Sequence, residues 1–424
     1  MNLVCHFHFD ALALNKVQGK CHNRQFCYII GLVTKIRVIF FIITLIVVGG
    51  IGILASYYAR GYKFDLKTLK FQPNGILVLK SEPDGASVYI NGELKTATNA
   101  SISLPPGTYD VEVRREGFFS WGKRLTIEKE IVTQAAISLF KNVPALSPVT
   151  TTGAVNPVMS EDGSKIVFNT GKGGLWVLET FSLPLGFGGG AKRIADGDMT
   201  GSSYVFSPDG RQVMLTISNG IFLIDTGSFT AQNQRVNMAS KKESVLAGWN
   251  AEKALKNQNL IRNLPPEIAD TLSRKSVSFV FSPDGNMVLY TASSSGVLAE
   301  GLVRPLPGAS TQKQERNIQT GHTYIYDIKE DRNFLITDQS VTINNVDNPL
   351  MGAVRWMSTS KQLLFAESGQ VTVMDYDGTN RQMVYSGSYF APTAFPYTNT
   401  TKLLILTNLG APSGNTNLYT LTVK

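Results

Sequence analysis

The sequence is poor in the two side chains that nucleophilic and metal chemistry use most often. It holds three cysteines and four histidines in 424 residues, and only one of the seven, His322, follows residue 60. Most Ser-His and Cys-His mechanisms, and any histidine-rich metal site, are therefore excluded from residues 61–424. Because that part has no cysteine, packing rather than disulfides must stabilise it.

The common catalytic and phosphate-binding motifs are also missing. There is no G-x-S-x-G motif and no H-E-x-x-H motif. In the glycine-rich segment 186–192, the glycines are followed by Ala-Lys-Arg, where a phosphate loop requires Gly-Lys-Ser or Gly-Lys-Thr. We interpret this segment as a flexible connection between strands. The sequence predicts no catalytic, cofactor-binding or metal-binding residue. We therefore expect a protein that is not an enzyme.

The net positive charge is almost entirely confined to one end of the chain. Residues 1–73 carry nine Lys or Arg against Asp10 and Asp65, whereas residues 74–424 hold 31 basic and 30 acidic side chains. A nucleic-acid surface needs a basic stripe on the folded part, which this distribution does not supply. We therefore expect no nucleic-acid partner.

One long apolar run lies inside that basic end. Residues 38–59 carry no formal charge, and at ~1.5 Å per residue they cover the roughly 30 Å hydrocarbon core of a bilayer. The run predicts a single transmembrane helix, with a buried core helix as the alternative. A cytoplasmic tail, residues 1–37, would precede it, and a linker, residues 60–73, would follow it.

Charge alone does not orient this helix, because basic residues flank it on both sides. A short segment, one apolar run and a large remainder are typical of an uncleaved signal anchor. We therefore expect a single-pass protein of the cell membrane whose C-terminal domains are extracytoplasmic. A remainder that stays in the cytoplasm is the alternative.

Cysteines and histidines gather in the first 30 residues. Cys5, His8, Cys21 and Cys27 lie at short spacings that loosely fit a zinc site, since thiolates and imidazoles surround that ion. Two other interpretations stay open. The segment is a plain cytoplasmic tail, or translation begins later, since the sequence from Val33 alone runs from a basic region into an apolar core.

From residue 74 the pattern changes to alternating apolar residues broken by turns such as EPDG and NGE. Alternation of this kind is typical of strands that bury one face. The apolar members of the alternation are Ile76, Val78, Val88, Ile90, Tyr109, Val111 and Val113. We predict a compact β-sandwich over residues 74–140.

Three short motifs in this segment resemble the PEGA domain, a small β-domain found mostly in bacterial and archaeal surface proteins. The motifs are SEPDGASVYING, LPPGTY and EGF. Asp84 replaces the Glu of the family's name, and KTATNA stands where the family has a Gly and a Thr-Pro pair. The resemblance implies a spacer or binding module and brings no catalytic residues.

A second pattern repeats through the remainder of the chain. VMSEDGSKIVF, VFSPDGRQVML and VFSPDGNMVLY share a strand, a Ser-x-Asp-Gly turn and a second apolar strand. Weaker copies follow at 356–365, where we expect a shorter turn, and at 395–405. Antiparallel units that cannot bury both faces alone must stack on neighbours, as in a β-propeller. We predict an all-β fold, with a propeller of five or six blades over residues 143–424.

The repeated Asp162, Asp209 and Asp284 are open to two interpretations. Asp-Gly is common in hairpin turns, which favours a structural role over one as ligands or acids. The repeats, with later strands such as HTYIYDI and VTVMDYDG, resemble the propellers of TolB-like (WD40-like) periplasmic proteins. That resemblance implies a protein-docking platform without naming its partner.

Two insertions lengthen the repeats. Residues 247–275 show a helical stripe that Pro265 and Pro266 interrupt, whereas residues 296–321 are polar and predict a loop. The stripe consists of Leu260, Leu264, Ile268 and Leu272. Long insertions on a rigid scaffold are preferred recognition sites. A helical hairpin that merely caps a blade edge is the alternative.

Together these features predict a membrane-anchored, extracytoplasmic binding or scaffold protein of the bacterial cell envelope. It would display its propeller to a protein or to a cell-wall glycan. The alternative is a propeller-type carbohydrate-active enzyme, a hydrolase or lyase with carboxylates roughly 5–10 Å apart in the channel.

Overall fold

The computed structural model describes residues 24–59, 62–65, 70–181, 190–304, 306, 310–339, 341–343, 353–399, 401–411 and 414–424. Of the proposed zinc ligands, Cys5, His8 and Cys21 lie outside these residues, and Cys27 is described only as part of a helical backbone. The chain divides into two units, residues 1–73 and residues 74–424.

The first unit contains one long helix, α1, over Arg24–Ala59. Within it, Lys35–Ala59 contains an 18-residue window with a mean hydropathy of 2.9 that is not buried, which is the character of a membrane span or a signal sequence. The helix begins before the predicted 38–59, because residues 24–37 contain no proline to stop it. The predicted linker also holds two short paired strands, β1 (Lys63–Asp65) and β2 (Lys70–Gln72).

The second unit begins with a β-sandwich of two sheets. Its strands are β3 (Gly75–Glu82), β4 (Ser87–Ile90), β5 (Glu93–Ala97), β6 (Ala100–Leu104), β7 (Gly107–Arg114), β8 (Trp121–Ile127) and β9 (Val132–Ser138). One sheet has the order β6-β3-β9 and the other β5-β4-β7-β8. The PEGA-like sandwich predicted from the turns and the alternation is therefore present.

The buried face of β3 differs from the prediction. Leu77 and Leu79 are fully buried, whereas Ile76 and Val78 are half-buried. The segment Ile-Leu-Val-Leu is apolar at every position, so alternation could not choose between the two faces, and β3 is the central strand of its sheet. The prediction holds for β4 and β7, where Val88, Ile90, Val111 and Val113 join the core and the half-buried Tyr109 packs against it.

In the described residues, five sheets of three to five strands follow the sandwich, and we name them A to E. Sheet A contains β11 (Val155–Met159), β12 (Lys165–Asn169), β13 (Leu175–Glu179) and β14 (Lys192–Ala195); sheet B contains β15 (Ser203–Phe206), β16 (Gln212–Ile217) and β17 (Gly220–Asp225). Sheet C contains β18 (Ser276–Phe281), β19 (Met287–Ala292), β22 (Thr323–Asp327) and β23 (Arg332–Thr337).

The last two sheets complete the chain. Sheet D contains β24 (Thr342–Ile343), β25 (Ala353–Trp356), β26 (Gln362–Glu367), β27 (Gln370–Asp375) and β28 (Gln382–Ser386). Sheet E contains β29 (Ala394–Pro396), β30 (Lys402–Thr407), β31 (Asn417–Thr422) and the much earlier β10 (Ala145–Pro148). Because β10 pairs with β31, the beginning and the end of this half of the chain meet in one sheet.

Apolar clusters join these sheets face to face. Val167 of sheet A packs in one cluster with Leu215 of sheet B, and Phe168 in another with Leu404 of sheet E. Further clusters join sheet C to sheet D and sheet D to sheet E. These clusters link the sheets in the order B, A, E, D and C, and β10 joins the start of this segment to its end. This arrangement is that of a β-propeller.

Two helices connect sheet B to sheet C, α2 (Lys242–Ile261) and α3 (Pro266–Arg274). The predicted break at the prolines is confirmed, and Pro266 opens α3, where the missing amide of proline is tolerated. The helical segment starts five residues before the predicted 247, and Leu264 lies in the connection rather than in a helix. The second insertion, predicted as a loop, holds one short ladder of β20 (Gly296–Val297) and β21 (Asn317–Ile318).

Candidate docking site

The repeated Ser-x-Asp-Gly motifs form the same hydrogen-bonded turn in three sheets. In sheet B, Ser207 Oγ donates to Asp209 Oδ1 at 2.6 Å, and the Arg211 amide donates to the same oxygen at 3.0 Å. The Gly210 amide donates to the Ser207 carbonyl at 2.9 Å, and Gly210 has a φ of +66°. The carboxylate therefore organises the turn that a glycine makes possible.

The other two copies repeat this network. Ser160 and Ser282 donate to Asp162 and Asp284, each at 2.6 Å. The hydrogen bonds from Ser207 and the Arg211 amide lower the pKa of Asp209. At Asp162 and Asp284 burial raises the pKa, and the equivalent hydrogen bonds outweigh it, so that both lie below the ordinary value. The three carboxylates are occupied by their own turns, which supports the structural interpretation.

The weaker copies keep the length of the turn. In sheet D the Met357 amide donates to the Gln362 carbonyl at 2.9 Å, as the Ser207 amide does to the Gln212 carbonyl. Ser360, with a φ of +58°, occupies the place of the turn glycine. The prediction of a shorter turn at 356–365 was therefore wrong, because Met357 rather than Ser358 corresponds to the serine of the motif.

A buried ion cluster joins the β-sandwich to the propeller. Lys123 Nζ of β8 lies 3.1 Å from Asp375 Oδ2 and 2.8 Å from Asp377 Oδ2 of sheet D and its following turn. Burial disfavours the charge on Lys123, but the two carboxylates outweigh it and raise the pKa of the ammonium group. Trp121 Nε1 also donates to Asp375 Oδ2, at 2.9 Å.

Further contacts extend this junction. The Gly122 amide donates to Asn380 Oδ1 at 2.9 Å, and Gln382 Nε2 donates to the Ser120 carbonyl at 3.0 Å. Phe140, at the end of the sandwich, belongs to the same apolar cluster as sheets D and E. Asp375 and Asp377 do converge, as the enzyme alternative requires of two carboxylates. Lys123 contacts both and offsets one of their two negative charges, and the sandwich covers them.

No local pattern in the sequence predicts this junction. Asp375 and Asp377 belong to the repeated motif VTVMDYDG, and Lys123 belongs to a strand of ordinary amphipathic pattern. More than 250 residues separate Trp121 from Asp375. Local periodicity carries no signal about pairs so far apart.

The helical insertion gives its two helices different environments. Ile268 and Leu272 of α3 are buried against Tyr290 and Tyr324 of sheet C. These tyrosines face away from Met287 and Leu289, which pack towards sheet D. Helix α3 therefore covers the face of sheet C that a preceding blade would otherwise cover, rather than a blade edge.

Helix α2 has 20 residues and no buried side chain. Between α2, α3 and β18 lies a groove of about 1060 Å³. Its lining residues are Ala251, Ala254, Leu255, Asn257, Gln258, Ile261, Arg262, Leu264, Pro266, Ala269, Ser273 and Phe279. Most of these side chains are apolar, and Leu255 is 58% exposed, so the groove is the candidate docking site.

Two contacts fix the insertion on the propeller. Lys253 Nζ of α2 lies 3.4 Å from Glu161 Oε2, in the turn of sheet A. At the start of α3, the Ala299 amide donates to Glu267 Oε2 at 3.0 Å. The groove is thus held between a sheet A turn and the long connection of sheet C. Phe279, its contribution from β18, was not singled out by the sequence.

The described residues contain no group of three or more Cys, His, Asp or Glu side chains placed to hold a metal ion. His322 is half-buried beside β22, and its ring stacks on Tyr324 at a centroid distance of 6.2 Å. The glycine-rich segment 186–192 lies mostly outside the described residues. Its last residue, Lys192, begins β14 as expected.

Comparison with protein families identifies one domain. Residues 74–142 match the PEGA domain, in agreement with the two-sheet sandwich and its three sequence motifs. No curated protein matches the chain. The PEGA match covers the sandwich alone, so it assigns that domain and not the whole chain.

Solved structures that are similar to this chain include β-propellers. A protein from Agrobacterium tumefaciens described as a TolB is 13% identical, with 66% of this chain and 88% of that chain covered and a TM-score of 0.23. TolB from Acinetobacter baumannii is 12% identical, with coverages of 74% and 59% and a TM-score of 0.22. The RRP9 WD40 repeats are 8% identical, with coverages of 67% and 100% and a TM-score of 0.28. Because these scores are low, the propeller assignment rests on strand order and on the clusters that join the sheets.

Proposed function

We propose that this chain is a membrane-anchored, extracytoplasmic scaffold protein whose propeller presents the groove between α2 and α3 to a protein partner. The observation that carries the proposal is the exposure of α2. In proteins most helical stability comes from packing of one face. In α2 the side chains of Leu246, Trp249 and Ile261 are half-buried, whereas Ala251, Ala254 and Leu255 on the groove side are exposed. A partner that covers its apolar face would supply the missing contacts.

The membrane assignment is supported by the apolar helix Lys35–Ala59 near the N-terminus. A short basic segment before it and the folded domains after it favour a signal anchor with the N-terminus in the cytoplasm. The PEGA domain and the propeller would then be outside, at the cell envelope. Digestion by an added protease in intact cells tests this arrangement, and full protection of residues 74–424 would contradict it.

A protein partner is favoured over a glycan by the chemistry of the groove. Alanine, leucine, isoleucine and phenylalanine predominate in its lining, and an apolar centre with few charges is typical of protein interfaces. The enzyme alternative receives no support from the described carboxylate pair, because Asp375 and Asp377 both contact Lys123. We therefore propose binding rather than catalysis as the activity.

Site-specific photocrosslinking in intact cells tests the docking proposal. A photoreactive amino acid replaces Leu255, which lines the groove, or Asn259, which is exposed on the same helix and does not line it. We expect a crosslinked product of one defined mass from position 255 and none from position 259. Equal products from both positions, or none from position 255, would contradict a docking role for the groove.

A further inference from the structure

We infer that the groove accepts an amphipathic α-helix of the partner, with an apolar stripe against α2 and α3 and a carboxylate beside Arg262. This inference deepens the proposed function and rests on it. It assigns the partner's secondary structure, the position of its charge and its approximate length, none of which follows from the presence of a docking site alone.

The small side chains of the groove walls favour a helix. Ala251 and Ala254 line the groove from α2, and Ala269 lines it from α3. Small residues at a contact let two helix axes approach to the lower end of the roughly 8–10 Å range seen for packed helices. Leu255, Ile261 and Phe279 are the larger apolar side chains that a third helix would pack between.

The two helical walls are unsuited to an extended peptide. A strand binds by pairing its amide and carbonyl groups with an exposed sheet edge. Along α2 and α3 these backbone groups are already used within the helices, so a strand lying there would bury unpaired polar groups. A helix satisfies its own backbone and needs only side-chain contacts.

One charge marks the end of the groove. Arg262 is the single charged residue among those that line it, and it stands directly after the last residue of α2. In the part of the chain that the structure describes, its guanidinium group forms no ion pair. By contrast, Lys253 of α2 pairs with Glu161, and Arg274 of α3 pairs with Asp270. A partner carboxylate is therefore the complementary group.

The lining residues also set the length and direction of the partner helix. From Ala251 to Arg262 the wall extends eleven residues, or ~16 Å along α2. A partner segment of about three turns spans it, with apolar anchors at i, i+4, i+7 and i+11. The carboxylate belongs at the end beside Arg262, where Asn257 and Gln258 offer additional polar contacts.

The test uses the full chain in lipid nanodiscs and fluorescently labelled synthetic peptides of 16 residues. The first peptide is a side-chain-stapled helix with leucines at i, i+4, i+7 and i+11 and a glutamate one turn beyond. Its counterparts carry lysine or glutamine in place of that glutamate, and a fourth peptide has the same composition with a central proline. Binding is measured by fluorescence anisotropy.

We expect the glutamate helix to bind most tightly and the proline peptide not to bind. The variant Arg262→Glu should weaken the glutamate helix by about two- to fivefold, the contribution of an exposed ion pair, and should bind the lysine helix better than the wild-type chain does. Arg262 is exposed, so this variant should fold normally. Asn259→Glu is the matched control and should not change the order of the peptides.

Two results would overturn the inference. One is equal binding of the proline peptide and the stapled helices. The other is equal binding of the glutamate, lysine and glutamine helices to the wild-type chain. If either occurs while position 255 still crosslinks a protein in cells, only the partner assignment is wrong. If position 255 gives no crosslink either, the proposed docking function is wrong as well.

Discussion

Lys123 of the PEGA domain and Asp377 of the propeller form an ion pair, with 2.8 Å between Nζ and Oδ2. The side chain of Asp377 is fully buried and that of Lys123 is 11% exposed. A charge that is removed from water needs an opposite charge beside it. Here the PEGA domain supplies the ammonium group and the propeller supplies the carboxylate. The two domains therefore depend on each other at this contact, and the PEGA domain is fixed to sheet D rather than loosely tethered.

Removal of the lysine should expose that dependence. In Lys123→Met, Asp375 and Asp377 lose their shared counter-charge while they remain buried. We expect the free energy of unfolding to fall by about 3–5 kcal/mol, as measured when one partner of a buried pair is removed. Urea unfolding followed by tryptophan fluorescence measures this change, because Trp121 lies at the junction.

The control is Lys95→Met, which breaks the exposed pair with Glu93. Exposed pairs contribute about 0–1 kcal/mol, so this variant should unfold almost as the wild-type chain does. A similar small effect for Lys123→Met would mean that the junction does not stabilise the fold.

Acid should weaken the repeated turns. The folded pKa of Asp209 is depressed, so its contribution to stability is complete above the unfolded value of about 3.9 and is lost as pH falls through the folded value. The free energy of unfolding should therefore decrease below about pH 4. Asp209→Asn should have a shallower acid dependence than the wild-type chain in urea titrations at successive pH values. Identical slopes would contradict the role of Asp209 in its turn.

Two glycines should respond in opposite directions to alanine. Gly285 has a φ of +70° with open space around it, so Gly285→Ala should cost about 1–2 kcal/mol through backbone conformation alone. Gly248 lies inside α2, also with open space, and Gly248→Ala should stabilise the helix by up to about 1 kcal/mol. Thermal unfolding of both variants, compared with the wild-type chain, measures the two changes in stability. A stabilised Gly285→Ala chain would exclude the left-handed turn.

Local features of the fold could be predicted from the sequence. Pro265 and Pro266 marked the boundary between two helices, because proline cannot continue a helix and is tolerated at its start. Gly210 and its equivalents marked the hairpins, because the turn requires a positive φ. These signals depend only on the residues involved and on their immediate neighbours.

Other features depended on distant contacts and could not be predicted. The choice between Leu77 and Ile76 as the buried side chain was open, since both faces of β3 are apolar. The pairing of Lys123 with Asp375 and Asp377 joins two domains across more than 250 residues. The groove itself requires Phe279 of β18 and Ala254 of α2 to meet, and only the folded chain brings them together.

The most direct test of the account is the size of the native complex in mildly solubilised membranes. Asn250 and Ala251 are adjacent exposed residues of α2, and only Ala251 lines the groove. We expect the wild-type chain and Asn250→Glu to sediment with a bound protein partner identified by mass spectrometry, and Ala251→Glu to sediment without it. Loss of the partner from both variants, or retention by both, would contradict docking through this groove.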